Sequence, residues 1–325
     1  MRRGRSAQHR WGSSVLAEAR TMLVPRNRVA NPNYRLPRNL ARRLFHTMKT
    51  ADESCLLSAM YRNEWISPRA DKGVIQRLGI KALGGGPHQS KTMMLGDLTI
   101  LSADGSWDSS SDRILRDNTL GKPSMRAREV GLYQLRRLYG LDVAPPICRV
   151  LNALWAKDPA SRPMLAMLCA LARDPSLRES ADVVLDASLG EQVRSPALAS
   201  VFQTRNPGRL NEQMSLSLAR NSASSWTQAG FLVGAKRKER VRATATPVAA
   251  AYAALLGDCC GFGGQRLIES RWMAVIDRPL EERLALLRQA AGMGLVRVRQ
   301  AGDVLEVEAR RTMADALGVS DLVHG

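Results

Sequence analysis

The chain has 325 residues, with 48 Lys and Arg against 30 Asp and Glu, a formal net charge of +18 and a pI near 10.6. Its 45% hydrophobic content is enough for a core and excludes wholesale disorder, while the charge excess calls for a polyanionic partner, nucleic acid ahead of an anionic membrane surface. The longest apolar stretches, Met164–Ala172 and Val248–Leu256, are about half of the ~20 residues of a membrane span, and the 5 cysteines and 4 histidines are too scattered for a zinc, redox or other metal spacing.

No signal-type apolar run follows the basic N-terminus, so the expectation is a cytoplasmic protein with no metal, cofactor or membrane partner. Residues 1–50 hold twelve Lys or Arg and one acid, Glu18, and so carry +11 of the total. With Pro25, Pro32 and Pro37 and little periodicity, they read as a flexible basic arm within an N-terminal extension over 1–92. Met48, Met60, Met93 and Met94 offer alternative starts. Within 51–112, Leu56–Tyr61 is expected as a short helix, Gly84-Gly85-Gly86-Pro87 as a break, Leu98-Thr99-Ile100-Leu101 as a strand and Asp104–Asp112 as a Ser-rich loop.

Gly85-Gly86-Pro87-His88-Gln89-Ser90-Lys91-Thr92 nearly fits the phosphate loop G-x-x-x-x-G-K-[ST]. Ser90 stands where the second glycine lets the backbone wrap phosphates, and Gly96-Asp97 interrupts the helix that should follow. Val183-Val184-Leu185-Asp186, the one candidate Walker-B strand, sits in helical surroundings. Nucleotide hydrolysis is therefore not expected. Asp104, Asp108 and Asp112 recur every four residues, but in a loop without the strand pattern of a magnesium nuclease, and no Ser/His/Asp or Cys/His arrangement stands out.

Residues 93–205 read as a helical domain. Ser124 can cap a helix to about Tyr139, with Val130, Leu135 and Leu138 among its apolar positions. Pro145, Pro163 and Pro196 sit near later helix starts, and Met164–Arg173 and Val183–Leu189 are helical. Lys122, Arg126, Arg128, Arg136 and Arg137 make the first of these helices basic. Lys122 and Arg126 are candidate DNA contacts, with a solvated face as the alternative.

The segment 206–257 predicts a first winged-helix unit. A helical stretch over Arg209–Ala229 places Leu210, Met214, Leu218 and Trp226 at four- or eight-residue steps. Gly230 stops it, and Phe231-Leu232-Val233 and Arg240–Thr244 flank a polar tip as a β-hairpin. The hairpin carries Lys236, Arg237, Lys238, Arg240 and Arg242 against a lone Glu239, well placed for phosphates. Two readings of the helix stay open. Asn221 and Ser222 form a turn, and Ser224, Ser225, Thr227 and Gln228 face bases; or the helix is continuous, and Arg205, Asn206, Arg209, Asn211 and Gln213 enter the groove. Arg209, Arg220, Asn221, Ser224 and Gln228 complete the candidate DNA-binding set.

The segment 258–325 repeats the design. Asp277 and Pro279 open a helix with Glu281 and Glu282 in its first turn and an apolar face of Leu280, Leu284, Leu287 and Ala291. Gly292 and Gly294 end it. Leu295–Arg299 and Val304–Glu308 then form a hairpin, with Val296, Val298, Leu305 and Val307 on one face and Arg297, Arg299, Glu306 and Glu308 on the other. Cross-strand arginine–glutamate pairing makes this wing self-neutralised, hence structural or protein-binding.

Arg113-Ile114, Asn118, Lys122, Ser124 and Leu135-Arg136-Arg137-Leu138 within Asp112–Leu141, and Arg220-Asn221 and Ser225-Trp226 before Gly230-Phe231-Leu232 within Asn211–Gly234, resemble the BrxA-like family, the small DNA-binding protein of BREX phage-exclusion systems. The similarity covers Asp112–Asp277, about half the chain. It implies a non-catalytic, mostly helical protein with winged-helix modules that binds DNA in bacterial antiphage defence. The expectation is thus a mainly α protein, a helical body with two winged helix-turn-helix-like units each ending in a β-hairpin wing, which contacts double-stranded DNA and other defence-system proteins. A scaffold for an acidic protein partner and a nucleic-acid-processing enzyme are the alternatives.

Overall fold

The structure, a computed structural model, describes residues 65–102, 107, 109–142 and 144–324. The basic arm, the Leu56–Tyr61 helix and the acids Asp104 and Asp108 lie outside the described residues. The elements run α1 (Lys72–Leu78), α2 (Leu95–Leu101), α3 (Ser110–Leu115), α4 (Met125–Tyr139), α5 (Pro146–Trp155), α6 (Arg162–Arg173), α7 (Pro175–Glu179), α8 (Ala181–Leu185) and β1 (Gln192–Val193). Then come α9 (Ser195–Arg205), α10 (Glu212–Gln228), β2 (Leu232–Val233), β3 (Lys238–Arg240) and α11 (Pro247–Cys259). The last are α12 (Gly264–Glu269), α13 (Arg271–Ala274), α14 (Leu280–Gly292), β4 (Arg297–Ala301), β5 (Val304–Glu308), α15 (Arg310–Leu317) and α16 (Asp321–His324). The protein is mainly helical, with small antiparallel sheets.

The core is built on α6 and α11, which pack against each other. Thr246 caps α11 by accepting from the Ala249 N–H at 3.1 Å, and Pro247 occupies the first turn, where its missing N–H costs nothing. Every residue from Val248 to Gly257 is buried. Its alanines let neighbouring helices approach closely, and Leu255 and Leu256 fill the gaps between them. Each fully buried leucine contributes roughly 1.5–3 kcal/mol relative to exposure. On the α6 side, Met164 through Ala172 are buried without a break.

α4 follows its sequence cues. Ser124 accepts from the Ala127 N–H at 3.2 Å, and Gly140 ends the helix at φ 67°. Leu98-Thr99-Ile100-Leu101, expected as a strand, instead forms the end of α2. Leu98 and Leu101 are buried at helical spacing, and the Thr99 hydroxyl donates to the Leu95 carbonyl at 2.9 Å. Thr99 and Ile100 have strand propensity, and tertiary packing of Leu98 and Leu101 overrides it.

α10 is one continuous helix through Asn221 and Ser222. Asn211 caps it, accepting from the Met214 N–H at 2.8 Å. Leu218 and Trp226 are buried, but Met214 is 47% exposed. Twelve residues turn a helix by about 120°, so Met214 and Trp226 cannot share a face. The buried face is filled by small residues: Ser215, Ala219, Ser222, Ala223 and Ser225.

The first hairpin gains a strand that the sequence did not reveal. β1 pairs with β3 (Gln192 opposite Glu239, Val193 opposite Lys238), and β2 pairs with β3 (Leu232 opposite Arg240, Val233 opposite Glu239), giving the order β1-β3-β2. Gly234, at φ 97°, turns the chain into the tip, where a Cβ would stand 2.1 Å from the Arg237 carbonyl oxygen. The second hairpin pairs as expected, Arg297 opposite Glu308 and Arg299 opposite Glu306, although β4 starts two residues later than predicted.

Candidate nucleic-acid interface

Helical arithmetic places Gln213, Leu216, Ser217, Arg220, Ser224 and Thr227 on one outward stripe of α10, opposite its buried serine and alanine face. From Gln213 to Thr227 the stripe is about 21 Å long. The hairpin meets its C-terminal end, where Lys238 Nζ donates to Thr227 Oγ1 at 2.9 Å and to the Gly234 carbonyl at 3.1 Å. Partial burial pulls the Lys238 ammonium below its ordinary pKa. Lys236 and Arg237 are exposed on the tip, and Arg220 is exposed midway along the stripe. Arg209 is exposed in the turn before α10. Among the described residues, none of these four has an ion-pair partner within 4 Å.

The other candidates are placed differently. Arg240 is only 2% exposed; it pairs with Asp277, donates to the Val184 carbonyl and stacks over the Phe231 ring at 5.3 Å. Its charge is used inside the fold. Arg242 is exposed and lines a separate cleft beside Asp277 and Arg278. Asn221 Nδ2 donates to the His88 carbonyl at 2.9 Å, and Gln228 Oε1 accepts from the Leu95 N–H at 3.0 Å, so both amides hold the 88–95 segment. Ser224 stays half-buried on the stripe.

On α4 and before it, the cations are largely engaged. Lys122 pairs with Asp97 at 2.8 Å and Arg136 with Asp142 at 2.8 Å, while Arg128 donates to the Leu115 carbonyl. Arg137 lies over Tyr133. Arg126 is exposed and reaches Glu129 at 3.5 Å. The second hairpin holds Arg297 to Glu308 at 3.0 Å and Arg299 to Glu306 at 3.7 Å, which balances its exposed face.

The loop that nearly fits a phosphate-binding motif is a strap between α4 and α10. Its His88 is fully buried. The Asp174 carboxylate, which can only accept, takes the Nδ1–H of His88 at 2.7 Å and its backbone N–H at 2.8 Å. His88 Nε2 lies 2.8 Å from Ser225 Oγ, which accepts from the Met93 N–H at 2.8 Å and lies 3.0 Å from the Asn221 carbonyl, to which it donates. Burial would raise the Asp174 carboxyl, but the bonds from His88 and the Ser176 N–H outweigh it and hold the pKa below the ordinary value. Gln134 Nε2 donates to Ser90 Oγ from the α4 side at 3.1 Å. Sequence reasoning missed this Ser–His–Asp line because its members lie 86 and 137 residues apart. It also missed Ser217 as a member of the α10 stripe, though its spacing of three and seven residues from Arg220 and Ser224 carried the signal; Gln213, expected in the groove for a continuous helix, lies on the stripe.

Among the described residues, no group of three His, Cys, Asp or Glu side chains is placed to hold a metal ion, and no helix is long and apolar enough to cross a membrane. No family model matches the chain, and no curated protein matches it. Solved structures do. The chain is similar to a magnesium ion-bound SspB crystal structure at 14% identity and a TM-score of 0.50, over 77% of this chain and 90% of that one. It is also similar to an SspB crystal structure at 13% identity and a TM-score of 0.49, over 76% and 89%. At this identity the likeness is one of fold.

Proposed function

We propose that the chain is a non-catalytic DNA-binding protein that reads duplex DNA with α10 in the major groove and the first hairpin on the adjoining phosphates. The contact of Lys238 with Thr227 carries this reading, because it makes the hairpin and the outward stripe of α10 one continuous surface. The order α8–β1–α9–α10–β2–β3, with the lone strand β1 pairing the second strand of the hairpin, supports a winged helix-turn-helix. Lys236, Arg237, Arg220 and Arg209 supply phosphate contacts, and Gln213, Ser217 and Ser224 present polar groups suited to base edges.

The second hairpin neutralises itself and is assigned to protein contacts or to structure. Ser225, His88 and Asp174 follow one another in the residue order of a hydrolase relay, yet all three are completely buried and the Ser225 hydroxyl donates to the Asn221 carbonyl, so their role is to fasten the strap to α7 and α10. The resemblance to the BrxA-like family supports a place in bacterial antiphage defence beside other proteins of such a system. Removing the exposed cations of α10 and the hairpin, together and separately, and following duplex binding across a salt series tests the proposal.

A further inference from the structure

A second feature lies at the other end of the α10 stripe. Leu210 and Met214 border both a small hollow under Gln213 and Ser217 and a larger cleft of about 730 Å³. The volume is in the range of small-molecule sites. Lys72, Arg178, Arg205 and Arg209 line it against one carboxylate, Glu179. Arg205 shares its charge with Asp182. Arg178 is 5% exposed and gives all its hydrogen bonds to backbone carbonyls, those of Lys81, Ala82, Leu171 and Ala172. Burial draws its guanidinium pKa down to about 10, and no carboxylate bond fixes its charge. The cleft therefore favours an anion.

Its walls favour a flat apolar group. Trp65 is half-buried and lines the cleft; Trp272 meets its ring edge-on at 4.8 Å and donates its Nε1–H to the Trp65 backbone carbonyl at 2.7 Å. Leu83, 89% exposed, and Met214, 47% exposed, are apolar side chains on the rim. An aromatic beside arginines and lysine is the chemistry that stacks a base and holds its phosphate.

We propose that this cleft receives a single nucleotide turned out of the bound nucleic acid at the N-terminal end of α10. The inference rests on the proposed duplex-binding reading and adds a second mode of recognition to it. Turning a base out is cheapest where its pairing is already broken.

The test measures binding of the full chain to a matched duplex and to the same duplex with one central mismatch. The mismatched duplex is expected to bind about tenfold more tightly. Leu83→Glu, at a position too exposed to affect folding, and Trp65→Ala should bring that ratio close to one while matched-duplex affinity holds within about twofold. Trp65→Phe should retain most of the preference. Equal binding of the two duplexes by the unaltered protein, or a preference that survives Leu83→Glu, overturns the cleft proposal and leaves duplex binding standing. Failure to bind either duplex overturns both.

Discussion

Arg240 and Asp277 form a two-bond ion pair, Nη2 to Oδ1 at 2.5 Å and Nη1 to Oδ2 at 3.1 Å, that pins the first hairpin to the turn before α14. Asp277 also accepts from the Ala243 N–H at 2.8 Å. Arg240→Ala would leave this carboxylate largely buried and unpaired. The expected loss is about 3–5 kcal/mol of folding stability, measured by urea denaturation. Lys236→Ala, four residues away on the exposed tip, should stay within about 0.5 kcal/mol of the unaltered protein. Equal effects would mean that Arg240 is not anchored.

The buried His88–Asp174 bond sets an acid limit. The folded Asp174 pKa lies below its ordinary 3.8. Its stabilisation is therefore complete above that ordinary value and is lost as pH falls through the lower folded value. Asp174→Asn should lower stability near neutral pH by roughly 3 kcal/mol and flatten the fall in stability below about pH 4. Denaturation curves between pH 3 and 7 check this, and an unchanged acid slope would remove Asp174 as its source.

The second hairpin should be indifferent to DNA. Arg297→Ala with Arg299→Ala removes two cations already balanced by Glu308 and Glu306. Duplex affinity is expected to stay within about twofold, because exposed paired charges contribute little. A tenfold loss would make this hairpin a second phosphate contact.

Core substitution gives a contrast of a different kind. Leu255→Ala in the fully buried run of α11 is expected to cost about 2–5 kcal/mol and lower the melting temperature, without altering the DNA salt dependence of the folded protein. A changed salt slope at full folding would tie α11 to the interface.

Legibility followed the range of the interactions. Ser124 and Gly140 bracket α4, and the alternation of Arg297, Arg299, Glu306 and Glu308 marks the second hairpin, because capping and cross-strand pairing act over a few residues. The positive tip at Lys236 and Arg237 was equally plain. Arg240 looked like its neighbours in sequence; its burial depends on Asp277, 37 residues on. Asn221 and Gln228 had the chemistry of base readers, and only the packing of the 88–95 segment against α10 shows where their amides are used. β1 is two residues long and pairs with a strand far along the chain, leaving no local pattern to find.

The most direct test of the account is the salt dependence of duplex binding with Arg220, Lys236 and Arg237 all changed to alanine. Each phosphate contact contributes about 0.9 to the slope of log affinity against log salt, so the account predicts weaker binding and a slope smaller by up to about 2.7. Each contributor, changed alone, should lower it by about 0.9. A triple variant with the affinity and slope of the unaltered protein would contradict the proposal that α10 and the first hairpin form the DNA-binding surface.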